Sequence, residues 1–211
     1  FIPMRILGSF FHIAMNGMAA SDKMFAILDL PEVENLNKEI KSEDFDISMK
    51  NVTFAYEERE KAILSKKEIL HKVNLDFPEG SFVSIVGTSG CGKSTIAGIL
   101  MGRNRGYEGS IKIGGVELSE ISEDSLMKNM TMVTHDSYLF KGSVRDNLLM
   151  GKSDASEEEM ENALRLVNLS EFMNEQEGLD TLVLDKGSNL SGGQRQRLAI
   201  ARALLHDTPI Y

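Results

Sequence analysis

The stretch Gly87-Thr88-Ser89-Gly90-Cys91-Gly92-Lys93-Ser94-Thr95 decides how the rest of this sequence is read. Ahead of it stands Phe82-Val83-Ser84-Ile85-Val86, an apolar, β-branched run that predicts a short buried strand. Behind it, Ile96-Ala97-Gly98-Ile99-Leu100-Met101 predicts the first turns of a helix. A G-x-x-x-x-G-K-[ST] match between strand and helix has the context of a phosphate-binding loop. The chemistry explains the spelling. Glycines let the backbone curl so that successive N–H groups turn onto phosphate oxygens, and the positive end of the next helix adds to that field. Lys93 supplies a point charge for β- and γ-phosphates, and the Ser94 hydroxyl is an oxygen ligand for Mg²⁺. The loop therefore predicts binding of a nucleoside triphosphate.

Composition sets the bounds. The 211 residues suffice for one sizeable core, or a core with a smaller lobe, and 42% hydrophobic with 26% charged residues is ordinary for a globular chain. A formal charge of −9 with no dense basic stripe disfavours a nucleic-acid partner. The single cysteine, Cys91, excludes an internal disulfide framework and fits a reducing compartment. No run of eighteen apolar residues occurs, so nothing in this sequence spans a bilayer by itself. The first residue is Phe1, and Thr208-Pro209-Ile210-Tyr211 resembles the entry to a further strand. Both ends suggest a piece of something longer.

Outward from the loop, the chain divides. Residues 1–30 carry a helical apolar pattern, Ile2, Ile6, Leu7, Phe10, Phe11 and Ile13, continued by Met24, Phe25, Ile27 and Leu28 and interrupted by Arg5 and His12. That pattern suits either an amphipathic helix packed on a domain or the cytoplasmic end of a membrane helix. Residues 31–45 are polar and charged and predict a linker. Strands are expected from Ile47 to Tyr56 and from Ile69 to Phe77, with a charged exposed loop over residues 57–67 between them. A hairpin closed by Gly114-Gly115 is expected within residues 109–118, a short strand over residues 130–133, and helices over residues 143–178. Ser156 before Glu157, Glu158 and Glu159 predicts a capped helix start rather than a metal site.

A second motif lies about a hundred residues further on. Leu190-Ser191-Gly192-Gly193-Gln194 runs into the helical stretch Leu198–Leu205, which makes another helix start with free N–H groups and a hydroxyl. With both motifs in place, the sequence resembles the nucleotide-binding domain of ATP-binding-cassette (ABC) transporters over essentially its whole length. Residues Gly87–Thr95 look like that family's Walker A loop, and Leu190–Gln194 like its signature. Tyr56 stands where the family stacks an aromatic ring on adenine. Residues 134–140 match its Q-loop region, and residues 181–187 the segment with which exporters contact coupling helices.

The resemblance implies an α/β fold: a P-loop NTPase core sheet, an antiparallel β lobe and a helical signature lobe, C-terminally truncated. Residues 1–30 are then the cytoplasmic end of the last transmembrane-domain helix, 31–45 a linker, and 46–211 a cassette ending before Walker B. Implied too are ATP and Mg²⁺, a second cassette whose signature clamps the same ATP, an upstream transmembrane domain, a transported solute, no nucleic acid, and a place on the cytoplasmic face of the cell membrane. Departures from the family pattern stand beside this. The Q-loop glutamine is replaced by His135, a possible equivalent toward water or Mg²⁺, and Asp185 stands where exporters carry glutamate. The hydrolytic carboxylates lie past Tyr211 in the family, so no catalytic residue is assigned within these 211 residues. The expected function is ATP-driven export of a solute. The alternatives are a soluble ABC ATPase of DNA repair or translation, and a degenerate cassette that binds ATP with little hydrolysis.

Overall fold

The structure is a computed structural model describing residues 2–29, 36–40, 44–60 and 63–211. Parts of the stretch read as a linker, residues 31–35 and 41–43, lie outside the described residues, as do the side chains of Ile2, Ile6 and Leu7. Two compact units are present, Phe1–Asn35 and Leu36–Tyr211. Among the described residues the first holds one helix, α1, Ile2–Leu28. Pro3 is tolerated because it sits in the first turn, where N–H groups lack intrahelical acceptors anyway. Phe10, Phe11, Ile13, Met18, Met24, Phe25, Ile27 and Leu28 of α1 are exposed. No described helix is long and apolar enough to cross a membrane.

The second unit begins earlier than the first expected strand. Lys38 forms a parallel bridge with Ile121, Ile40 is buried, and the Ile40 N–H donates to Ser125 Oγ at 2.9 Å. Four antiparallel strands follow: β1 (Ile47–Glu60), β2 (Ile63–Phe77), β3 (Glu108–Ile113) and β4 (Val116–Glu117), in the order β2-β1-β3-β4. Strict alternation would bury one parity only, yet β1 buries Ile47 and Met49 and then Val52 and Phe54. The switch is made at Asn51, whose φ of 51° accompanies an irregularity in register between Met49 and Val52. The extra residue turns the second half of the strand so that both apolar pairs face the same core. That core is completed by Leu70, Ile111 and Ile113 from the sheet and by Ile96 and Ile99 of α2 (Lys93–Leu100). As expected, Gly114 and Gly115 close the β3–β4 hairpin, with φ of 57° and 74° at its two turn positions.

A second core belongs to the helical lobe, built from α4 (Val144–Leu149), α5 (Glu157–Leu166), α6 (Ser170–Asn174) and α7 (Gly192–His206); α3 (Glu123–Asn129) lies with the first core. Leu148, Met160, Leu164, Leu169, Met173 and Leu198 meet there, all nearly or fully buried. A two-stranded ladder, β5 (Gly142–Ser143) with β6 (Leu182–Val183), ties the entry of α4 to the segment before α7. Ser156 caps α5 as the sequence predicts, and Glu159 closes the box by accepting from the Ser156 N–H at 2.7 Å.

Three local expectations are corrected. The expected loop over residues 57–67 is replaced, over residues 57–60 and 63–67, by a ribbon in which β1 and β2 continue, pairing Tyr56 with Lys67, Glu57 with Lys66 and on to Glu60 with Ile63; residues 61–62 lie outside the described residues. A two-stranded ribbon is held by backbone hydrogen bonds, so a charged sequence with no apolar face does not forbid it. Residues 82–86 are not a buried strand. They belong to no ladder, with Phe82 98% and Val86 87% exposed, because an apolar run becomes a strand only when another segment supplies its hydrogen bonds and none described does. Residues 130–133 hold a single parallel bridge, Met130 with Ile210, in place of a strand. The α/β class with an antiparallel lobe and a helical lobe stands.

Candidate functional site

The phosphate loop leads from residues 82–86 into α2, and its shape depends on two glycines. Gly90 and Gly92 have φ of 82° and 99°, the left-handed region that a side chain would strain. At Gly92 a Cβ would also come within 2.7 Å of Leu70 Cδ2. Gly92 is the N-cap of α2 and offers no side chain to cap it, so the N–H groups of Lys93, Ser94 and Thr95 have no acceptor on the helix. The Lys93 ammonium folds back over the loop, donating to the Gly87 carbonyl at 2.9 Å and the Thr88 carbonyl at 2.7 Å. It also lies 3.7 Å from Cys91 Sγ. That thiol is exposed and sits over Gly87, where a Cβ would meet Sγ at 2.6 Å. Thr88, Ser89 and Ser94 are exposed, whereas Thr95 is buried under the loop.

The structure brings Tyr56 to the same place. Its hydroxyl lies 3.4 Å from Thr95 Oγ1 and accepts from Asn104 Nδ2 at 3.1 Å. Phe54 packs against its ring edge-to-face, with centroids 4.9 Å apart and planes at 89°. Beside Tyr56 opens a cavity of about 540 Å³, lined also by Arg103, Asn104 and Arg105.

Leu190–Gln194 sits at the start of α7. Leu190 is buried and anchors the turn, and the Arg195 guanidinium donates to its carbonyl at 2.6 Å. Ser191 is the N-cap: its Oγ accepts from the Gln194 N–H at 3.2 Å, while Gln194 Oε1 accepts from the Ser191 N–H at 2.8 Å. Gly192 and Gly193 are exposed, and nothing would touch a Cβ at Gly193. Among the described residues no hydrogen bond or ion pair joins this turn to the loop at Gly87–Thr95.

His135 is held apart from both. It lies on a tight turn closed by the Ser137 N–H donating to the Thr134 carbonyl at 3.2 Å, and its side chain is 92% exposed. The neighbouring Asp136 carboxyl is held below its usual range, first by a hydrogen bond from Thr134. Three residues on from His135, the same segment is firmly anchored. Tyr138 stacks edge-on against Phe140 at 4.9 Å and donates its hydroxyl to Asp185 Oδ1 at 3.1 Å. That carboxylate acceptor pushes the Tyr138 phenol up. Residues 134–140 and 181–187, noted separately in the sequence, are thus joined.

Two asparagines that sequence reasoning missed brace the two segments, one on each side. Asn147, fully buried on α4, accepts from the Phe140 N–H and donates to the carbonyls of Phe140 and Ser143, each at 2.9 Å. Asn189 accepts from the Leu184 N–H at 2.9 Å and donates to the Leu182 carbonyl at 2.8 Å. An asparagine on the apolar stripe of a short helix was the available signal for Asn147, since a buried amide needs partners.

Comparison with known proteins follows the same outline. A family model described as "ABC transporter" matches residues 70–211. An "Uncharacterized ABC transporter ATP-binding protein" of Haemophilus influenzae is 44% identical over 214 residues, covering 100% of this chain and 37% of the relative. An "ATP-dependent lipid A-core flippase" of Vibrio parahaemolyticus is 37% identical, over 99% of this chain and 35% of the relative. The solved structure of a bacterial Atm1-family ABC exporter with ATP bound superposes with a TM-score of 0.81 at 32% identity, covering 100% of this chain and 36% of that one. The chain spans a little over a third of the length of the relatives it matches.

Proposed function

The chain belongs to the ABC transporter family, and from that premise we propose that it is the ATP-binding cassette of a membrane exporter, driving solute export by closing on ATP against a second cassette. The observation that carries this reading is the loop Gly87–Thr95, with Lys93 poised over its mouth and an uncapped helix start behind it. Lys93 exchanges its bonds to loop carbonyls for the β- and γ-phosphates, and the backbone N–H groups of residues 88–95 take up the remaining oxygens. Tyr56 offers its exposed ring to the adenine. Ser191, Gly192, Gly193 and Gln194, held by Leu190, face the ATP of the opposite cassette.

The residues fit Mg²⁺ in a limited way. Ser94 provides an exposed hydroxyl oxygen of the kind this hard cation takes. No group of three or more His, Cys, Asp or Glu gathers among the described residues, so Ser94 is one ligand beside phosphate oxygens. Bound there, the cation supplies charge neutralisation for the phosphates. His135, exposed on its turn, suits a water-accepting role better than direct ligation, since imidazole is a poor match for Mg²⁺. Residues 1–30 serve as the cytoplasmic end of a transmembrane-domain helix and 31–45 as the linker, which places the cassette on the cytoplasmic face of the membrane. The relatives named as a flippase and an exporter support this reading over a soluble ATPase of DNA repair or translation.

The test is calorimetric ATP titration of the full-length protein and its Lys93→Ala variant. Losing a charge-assisted contact costs roughly 1.5–3 kcal/mol, an affinity loss of about ten- to a hundred-fold or somewhat more. Equal affinities would overturn the assignment of the loop.

A further inference from the structure

The ring of Tyr56 is fixed from its hydroxyl end, and the residue that fixes it comes from outside every motif. Asn104 lies in the turn that follows α2. The N–H groups of Arg103 and Asn104 both donate to the Gly98 carbonyl, at 2.9 and 3.1 Å, which reverses the chain onto the helix. The Asn104 amide then lies directly over Gly98, where a Cβ would come within 2.6 Å of Nδ2. Only a glycine leaves that space, and from it Nδ2 donates to the Tyr56 hydroxyl at 3.1 Å. The same hydroxyl touches Thr95 Oγ1 at 3.4 Å, so one chain of hydrogen-bonding groups runs from the turn through the ring to the end of the phosphate loop. Phe54 meets the ring at 4.9 Å, yet Tyr56 remains 40% exposed beside the cavity lined by Thr53, Ala55, Arg103 and Gly106.

We propose that Asn104 is a positioning residue for nucleobase recognition, acting through the Tyr56 hydroxyl. The inference rests on the reading of Tyr56 as the surface that meets the base. A tyrosine free to rotate loses rotamer freedom when a base stacks on it, and a ring already tied at its hydroxyl has lost that freedom beforehand. The gain belongs to the base alone, because the phosphates are held by the loop backbone and Lys93.

The experiment titrates the full-length protein with two probes, ATP and inorganic tripolyphosphate, across Asn104→Leu, Tyr56→Phe, the double variant and Tyr56→Ala. Asn104→Leu keeps the side chain's size and removes its donor, and Tyr56→Phe keeps the ring and removes the acceptor. Each is expected to weaken ATP about two- to twelve-fold, the range that immobilising one side chain spans. Tripolyphosphate affinity stays unchanged, and the double variant is no weaker than either single one, since both changes break the same link. Additive losses, or a parallel fall in tripolyphosphate affinity, overturn the proposal by showing that Asn104 acts on the fold of α2 instead. Unchanged ATP affinity in Asn104→Leu, with a loss in Tyr56→Ala, overturns the positioning role and leaves the base platform standing. If Tyr56→Ala also binds ATP normally, the platform reading fails and the positioning role with it.

Discussion

Replacing Asn147 by leucine tests whether the segment carrying His135 is held by the helical lobe. The side chain is fully buried, and its amide makes three hydrogen bonds of 2.9 Å, one accepted from the Phe140 N–H and two donated to the carbonyls of Phe140 and Ser143. Leucine fills nearly the same volume, so no large cavity opens, but the Phe140 N–H and carbonyl lose their partner at once, while the Ser143 carbonyl, at the N-cap, keeps the first intrahelical bond of α4. A buried group left unpaired costs about 1–3 kcal/mol. Phe140 is 49% exposed and Ser143 partly so, which lets water reach some of the freed groups and moves each toward the low end of that range. The sum is about 2–4 kcal/mol, or a fall in Tm of roughly 4–16 °C for a unit of this size. Thermal unfolding followed by circular dichroism reads the total, and amide exchange locates it, with protection lost at residues 140–144 before the rest of the unit. Asn147→Asp, which keeps the acceptor and loses both donors, should be at least as harmful because it also buries a charge. A Tm shift below about 2 °C with protection retained would refute the reasoning, since it would mean that these bonds exchange for water at no net cost.

Two further outcomes follow from backbone space and from acid titration. Gly109 has φ of 101°, and a Cβ there would stand 2.5 Å from the Asn51 carbonyl oxygen and 2.6 Å from that of Lys50. Gly109→Ala should therefore cost at least about 2–3 kcal/mol in denaturant unfolding, and a change under about 0.5 kcal/mol would remove the conformational argument. The Glu159 carboxyl is drawn down from its ordinary 4.5 to about 2, first by the hydrogen bond from Lys152 and then by the Ser156 backbone. Its stabilisation is complete above about pH 4.5 and disappears as pH falls toward 2, so Glu159→Gln should flatten the acid limb of a urea-midpoint profile over that window. Parallel profiles for the two proteins would show that the carboxylate is not linked to folding.

The parts of this fold legible in the sequence are those in which chemistry constrains spelling. Gly90, Gly92 and Lys93 could be placed because a phosphate loop needs left-handed glycines and a cation at the helix start. Ser156, and Gly114 with Gly115, were readable because caps and tight turns are local. Pairing was not readable. Whether the strands β1 and β2 continue through the stretch expected as a loop depends on ladder geometry between two segments, and nothing in a charged sequence announces such a ribbon. The change of face at Asn51 is also hidden, because a bulge looks in sequence like a broken alternation. Residues 82–86 carry the composition of a buried strand and still lie exposed, since composition cannot specify a partner.

The two helix starts at the candidate site differ in a way that bears on what each can hold. At α2 the cap is Gly92, whose lack of a side chain leaves the first N–H groups wholly unclaimed, and the nearest charge is Lys93. That end is suited to the most highly charged part of a nucleotide. At α7 the cap is Ser191, and its hydroxyl oxygen is already an acceptor for the Gln194 N–H. A hydroxyl that accepts one bond still carries a proton, so Ser191 can keep its capping role and donate outward in the same geometry. Gln194 completes the box through Oε1 and keeps its amide N–H₂ for a further acceptor. Gly192 and Gly193 expose their backbone with no Cβ in the way. The sequence Ser-Gly-Gly-Gln thus satisfies the helix end and still presents donors to an anion arriving from outside the chain. With Leu190 buried beneath it and Arg195 gripping the Leu190 carbonyl, that donor set is anchored by the chain's own contacts, as the proposed closure on a second cassette's nucleotide would require.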